Sequence, residues 1–182
     1  MTNEARARST GFDHGGRAYK RAAAASSAPS PRRLGDGGVV VTTSTLPALL
    51  PGLCHAEQMV VTPGHTVPQV GDWPGFRDMP PAFATAMMIG FMEQTCIQAL
   101  RPYLHPGQGT VGTQVEMSHV AATPAGVVVL AQVELVEVKG KALTFKVACH
   151  DAAGLIGEGV HRRAIVDMKG FGERLAAKAA PR

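Results

Sequence analysis

The chain has 182 residues, which is enough for one ordinary domain with a buried core. Its formal net charge of +4 arises entirely from residues 1–50, which contain seven Lys and Arg residues and three acidic residues. Residues 51–182 contain eleven basic and eleven acidic residues. A folded part without net charge offers little electrostatic attraction to nucleic acid, so we expect no nucleic-acid binding. Three widely spaced cysteines without a CxxC pattern argue against a disulfide framework or a zinc site, and they favour the reducing cytoplasm.

Residues 1–50 are rich in Ala, Ser, Pro and Arg and have no apolar periodicity, which predicts a disordered basic tail. No secretory apolar segment precedes Val39. Three interpretations of the tail stay open: a transit peptide, a segment translated from an upstream start codon, and a flexible arm. Residues 51–182 are predicted to form a single domain.

The domain is predicted to open with a short strand and a long helix. Glu57–Thr62 reads as a strand closed by a Pro-Gly pair, and an irregular loop follows. The helix is predicted to run from Pro80 to about Tyr103, since proline is tolerated in a first helical turn and a His-Pro-Gly sequence stops the segment. Glu93 and several polar neighbours interrupt its apolar character, so we expect a buried helix and no membrane span.

Four β-like stretches follow the helix, separated by short turn signals. They are Thr110–Ala122, Val127–Val138, Ala142–His150 and Leu155–Met168. Short links imply antiparallel neighbours. A strand, a long buried helix and four antiparallel strands predict the α+β class. This order is that of the hotdog fold, in which the sheet wraps the helix, although other α+β folds share it.

Three polar residues are candidates for chemistry. Glu93 is the only charged residue between Asp78 and Arg101, and burying a lone carboxylate is costly. Alternate residues from Val111 to His119 share an apolar strand face that should pack against the helix or against a partner sheet and bury the His119 imidazole. Thr85 and Glu93 are eight residues apart, about 80° around the helix and a little over two turns along it, so both can border one cleft. Each residue alone is more simply a satisfied core group, but together they supply the parts needed for acyl transfer.

The run AFATAMMIGFMEQTCIQALRPYLHPGQGTVGTQVEMSHVAATPAG, continued by ALTFKVACHDAAGLIGEGVHRRAIV, resembles the fluoroacetyl-CoA thioesterase family of hotdog proteins. The resemblance covers roughly Val60 to Phe171. It implies a homodimer that hydrolyses acyl-CoA thioesters at an active site on the subunit interface. It also implies that Glu93 attacks the thioester carbonyl or activates water, that His119 transfers protons, and that Thr85 orients or polarises the acyl group.

The resemblance further implies a set of substrate contacts. Gly112 matches the glycine that contacts the substrate, and its backbone would approach the thioester oxygen. Phe76 fits the first of two lid phenylalanines, whereas Met79 stands at the second position, where a flexible side chain specifies shape poorly. Thioesterase activity is therefore a better inference than selectivity for fluoroacetate. Exposed Arg162 and Arg163 are the candidates for holding the CoA phosphates, with a solvated strand end as the alternative.

No metal and no cofactor are expected, because a thioester has a good leaving group and the seven histidines form no HxxxH-type pair. Coenzyme A is part of the substrate. Two other interpretations remain: a hotdog hydratase or dehydratase, and an acyl-CoA-binding module that has lost turnover. The spacing of Thr85, Glu93 and His119 speaks against the former, and the retention of all three speaks against the latter.

Overall fold

The structure is a computed structural model and describes residues 46–179. The predicted disordered tail therefore lies, up to residue 45, outside the described residues. In chain order the described elements are β1 (Cys54–Val60), α1 (Pro74–Arg77), α2 (Thr85–Leu100), β2 (Gln108–His119), β3 (Val128–Lys139), β4 (Ala142–Asp151), β5 (Gly154–Asp167) and α3 (Met168–Ala179). Single turns of 3₁₀-helix lie at Pro63–His65, Val67–Gln69 and Arg101–Tyr103.

The five strands form one antiparallel sheet in the order β1-β3-β4-β5-β2, and α2 packs across one face of it. Met88, Met92 and Cys96 on α2 are fully buried. Alternate residues of the central strands, such as Val133 and Phe145, complete this core from the sheet side. The predicted α+β class and hotdog arrangement are confirmed. No helix within residues 46–179 is long and apolar enough to cross a membrane.

The entry into α2 differs from the prediction. Helix α2 begins at Thr85, five residues after Pro80, because the chain before it is extended and paired. Phe83 bridges Thr66 and donates its N–H to the Thr123 carbonyl at 2.7 Å. These pairs fix the position of Thr85 as the first helical residue. The helix ends close to where it was predicted, since a 3₁₀ turn continues it to Tyr103.

Strand β2 contains an irregularity that alternation cannot reveal. Its register against β5 shifts between Gly112 and Gln114. Gly112 faces the helix before the shift, and Met117 and His119 face inward after it. The prediction of one shared face from Val111 to His119 is therefore wrong for the first half of the strand and holds for the second.

Helix α3 was not predicted, because the last strand was expected to end the ordered core. Asp167 accepts the Gly170 N–H at 2.6 Å through Oδ2, which is the hydrogen bond of an N-cap. The sequence signal was present: an aspartate precedes a segment rich in Ala, Lys, Glu, Arg and Leu.

Candidate active site

Thr85 and His119 meet at the start of α2. The Thr85 hydroxyl Oγ1 lies 2.8 Å from Nδ1 of His119, which is the last residue of β2. The other ring nitrogen, Nε2, is shielded from solvent yet has no hydrogen-bond partner among residues 46–179. An imidazole beside a hydroxyl can exchange a proton with it through the nitrogen that they share in this contact. We call these residues the Thr85–His119 pair.

Glu93 lies two turns further along α2 and is not isolated. Its Oε1 accepts a hydrogen bond from Nη1 of Arg163 at 2.6 Å. The Arg163 side chain is 1% exposed and that of Glu93 is 37% exposed, so the guanidinium lies behind the carboxylate. The second carboxylate oxygen, Oε2, has no hydrogen-bond partner among the described residues. The charge that seemed alone in the sequence is therefore balanced by a buried arginine.

Arg163 is itself held on several sides. Its Nε donates to the hydroxyl of Thr110 at 3.0 Å, and its Nη2 donates to the carbonyl of the same residue at 2.9 Å. Its Nη1 also lies 2.9 Å from Nε2 of His161. We call Glu93, Arg163, His161 and Thr110 the Glu93–Arg163 cluster. The expectation that Arg163 is exposed and free to bind phosphate is wrong, because its donors point inward and are occupied.

The surroundings of the cluster set the charge of two neighbours. Burial lowers the pKa of His161, and the Arg163 guanidinium lowers it further, which favours a neutral imidazole. Burial raises the pKa of the Cys96 thiol to about 12. The thiol therefore stays protonated near neutral pH and does not serve as a nucleophile beside Glu93.

Gly112 closes the cluster from the side of β2. A Cβ built at this position would lie 3.1 Å from Oε1 of Glu93 and 3.2 Å from Cε1 of His161. Both distances are tighter than ordinary carbon contacts, so a larger residue would crowd the carboxylate. The glycine thus leaves room for the Glu93 carboxylate beside the β2 backbone.

Within one protomer, the pair and the cluster are separate. Thr85 and Glu93 are eight residues apart on α2, or about 12 Å along the axis. His119 and Gly112 are seven residues apart on β2, or roughly 20 Å. No hydrogen bond among the described residues links the two groups. Within one protomer, the two groups are therefore offset by these distances along both elements.

The remaining predicted residues lie outside these two groups. Phe76, on α1, is partly buried and packs edge to face against Trp73 with ring centroids 5.0 Å apart. Met79 is 50% exposed. Arg162 is exposed as expected, but strand alternation places it on the opposite face of β5 from Arg163. Within residues 46–179, no group of three or more His, Cys, Asp or Glu residues is arranged to hold a metal ion.

Sequence reasoning missed His161 and Thr110, and it misplaced Arg163. A signal was available in β5, where His161, Arg163 and Ile165 alternate with residues of the outer face. Two basic side chains with the parity of an apolar residue in a core strand require an acceptor inside the fold.

Comparisons with known proteins show the family of the chain. Residues 61–169 match the sequence model of the family described as fluoroacetyl-CoA-specific thioesterase. A fluoroacetyl-CoA thioesterase from Streptantibioticus cattleyicolor is 40% identical over 123 residues, which are 67% of this chain and 88% of that protein.

Solved structures give the same result. A structure of fluoroacetyl-CoA thioesterase matches with a TM-score of 0.71 and 36% identity, covering 74% of this chain and all of the other. A hot-dog-like protein from Thermanaerovibrio acidaminovorans, at 20% identity and a TM-score of 0.63, covers 72% of this chain and 94% of its own and shares the fold. The chain belongs to the fluoroacetyl-CoA-specific thioesterase family.

Proposed function

We propose that this protein hydrolyses the thioester of a small acyl-CoA to the free acid and coenzyme A. The observation that carries the proposal is the Glu93 carboxylate, which is held by buried Arg163 through one oxygen while the other has no partner. Such a carboxylate is fixed in place and still has a free lone pair for chemistry. Family membership supports the same reaction, and no observation favours a hydratase or a non-catalytic binding module.

The chemistry assigns one role to each group. Oε2 of Glu93 either attacks the thioester carbonyl carbon or takes a proton from the water that attacks it. The carbonyl oxygen gains charge, and the backbone beside Gly112 is open to approach it. His119 delivers a proton to the departing thiolate, and Thr85, 2.8 Å from its ring, orients the acyl group. In the first case, water then cleaves the acyl–Glu93 anhydride and regenerates the carboxylate.

We further propose that the active site is completed by a second copy of the chain. The separation between the Thr85–His119 pair and the Glu93–Arg163 cluster supports this, because a two-fold dimer can place the pair of one subunit against the cluster of the other. Each dimer then has two equivalent sites, each with parts from both subunits.

The free edge of β2 is the surface that fits such a dimer. Within the described residues β2 pairs on one side only, it is twelve residues long, and Val115 on it is 43% exposed. A long unpaired edge is a template for pairing with another strand. Antiparallel pairing of two β2 strands centred near Glu116 brings His119 of one copy opposite Thr113 of the other, next to Gly112.

Separate side chains are proposed to contact the acyl group and the CoA tail. We propose that Phe76 and Met79 cover the acyl group, with exposed Met79 closing less tightly than a ring would. Arg162 stays the proposed contact for the CoA phosphates, since its side chain is exposed. A cytoplasmic location is supported by the three free cysteines.

The reaction is tested by thiol release from a panel of short, branched and aromatic acyl-CoAs. The wild-type protein is expected to turn over short acyl-CoAs, and Glu93→Gln should lower kcat by at least ~100-fold because it removes the nucleophilic charge while keeping the volume. Glu158→Gln, an exposed carboxylate of β5, is the matched control and should be silent. Equal activity in folded Glu93→Gln and wild type would reject the proposal.

A further inference from the structure

His161 has two hydrogen bonds that connect both sides of the Glu93–Arg163 cluster. Its side chain is 1% exposed. Nε2 lies 2.9 Å from Nη1 of Arg163, and Nδ1 lies 3.2 Å from the carbonyl oxygen of Gln114, at the register shift beside Gly112. The imidazole thus links the Arg163 guanidinium, which lies behind Glu93, to the register shift in β2.

The two partners fix the protonation state of this ring. A guanidinium only donates hydrogen bonds, so Nε2 must carry no proton and accept. A backbone carbonyl only accepts, so Nδ1 must carry the ring's single proton and donate it to Gln114. His161 is therefore neutral, in one tautomer, and buried with both nitrogens satisfied.

This arrangement determines where the hydrogens of Arg163 point. Nη1 has two hydrogens, of which one goes to His161 and the other to Oε1 of Glu93. The planar guanidinium cannot turn without losing the bond to His161 or those to Thr110. A displacement of the carboxylate by about 1 Å can cost about 100-fold in rate.

We propose that His161 is a positioning residue for the reaction at Glu93, acting through its unprotonated Nε2 on Arg163. The inference rests on the proposed thioester hydrolysis. It assigns no contact with substrate to His161, so its loss should lower kcat and leave KM nearly unchanged.

Two amide variants separate the two hydrogen bonds. The carbonyl of His161→Gln reaches the place of Nε2 and can accept from Arg163, whereas the shorter amide of His161→Asn reaches only the place of Nδ1 and serves Gln114. Both variants are polar, and neither titrates. Comparing them keeps burial and polarity nearly constant while changing which bond survives.

The experiment measures kcat, KM and thermal unfolding for both variants, with the wild-type ring nitrogens followed by ¹⁵N NMR at pH 7.5. We expect His161→Gln to retain kcat within about twofold and His161→Asn to lose about tenfold or more with KM unchanged. We also expect one neutral tautomer with the proton on Nδ1.

Equal kcat in the two variants would overturn the proposal, whether both values are reduced or both match wild type. An NMR result that places the proton of wild-type His161 on Nε2 would overturn it as well. A wild-type protein inactive on every acyl-CoA would instead reject the proposed function. The NMR result would still test the arrangement of His161, because it needs no turnover.

Discussion

The two halves of the candidate site differ in how firmly the fold holds them. The Glu93–Arg163 cluster is buried on its sheet side and fixed by five hydrogen bonds that reach Glu93, Thr110 and Gln114. The Thr85–His119 pair lies at the exposed start of α2 and has one side-chain hydrogen bond, between its own members. The comparison teaches that the fold of one protomer fixes the Glu93 carboxylate firmly, whereas it holds His119, the proposed proton-transfer group, through a single contact.

The largest effect that distinguishes the halves is expected for His119→Ala. Removing the imidazole should lower kcat by about 100-fold, because general acid–base catalysis contributes about that much or more. Thermal unfolding should change little, since the ring is only partly buried and makes one bond. A variant that keeps wild-type kcat would show that the leaving group is protonated by another residue.

A smaller effect is expected for Arg163→Lys, which tests the other half. A lysine is a point charge and cannot reach Glu93, His161 and Thr110 together, so kcat should fall by about tenfold and the protein should unfold at a lower temperature. Arg101→Lys, an exposed arginine at the end of α2, is the matched control and should leave both quantities unchanged. Wild-type thermal stability in Arg163→Lys would contradict the claim that the Glu93–Arg163 cluster is held more firmly than the Thr85–His119 pair.

The smallest effect is expected for Met79→Phe, at the proposed cover of the acyl group. One side-chain change in an apolar pocket shifts discrimination by about 1–3 kcal/mol. The wild-type protein should prefer fluoroacetyl-CoA over acetyl-CoA only weakly and should accept somewhat larger acyl groups, whereas Met79→Phe should narrow the range toward small ones. The measurement is kcat/KM across an acyl-chain series. A preference of several orders of magnitude in the wild type would mean that selectivity comes from outside the lid.

The sequence was sufficient for the fold where local pattern and burial agree. The four strands after the helix were placed within a few residues, because alternation along Leu143 to Cys149 and short turns determine them. The start of α2 was misplaced, since the bridges of Ala82 and Phe83 pair them with residues distant in sequence. The bulge in β2 was missed because a register shift depends on the neighbouring strand as well as on the strand itself.

The site could be predicted only in part for the same reason. Glu93 stood out as a charge in an apolar helix, but its partner Arg163 lies seventy residues away and was assigned to the surface because it follows Arg162 in an arginine pair. The proximity of Gly112 to Glu93 was implied by family resemblance, and its steric cause appears only in three dimensions. Whether one protomer can form a complete active site depends on the distance between the Thr85–His119 pair and the Glu93–Arg163 cluster, and no local sequence pattern gives that distance.

The central claim, that each active site combines two subunits, is tested by a mixed dimer. Glu93→Gln and His119→Ala are co-expressed with different tags, and the dimer that carries both tags is purified. One of its two sites then has an intact Glu93–Arg163 cluster from one subunit and an intact Thr85–His119 pair from the other. The account predicts about half of wild-type turnover per dimer, far above either parent variant. Turnover at the level of the two parents would contradict it, because each site would then draw both groups from one chain.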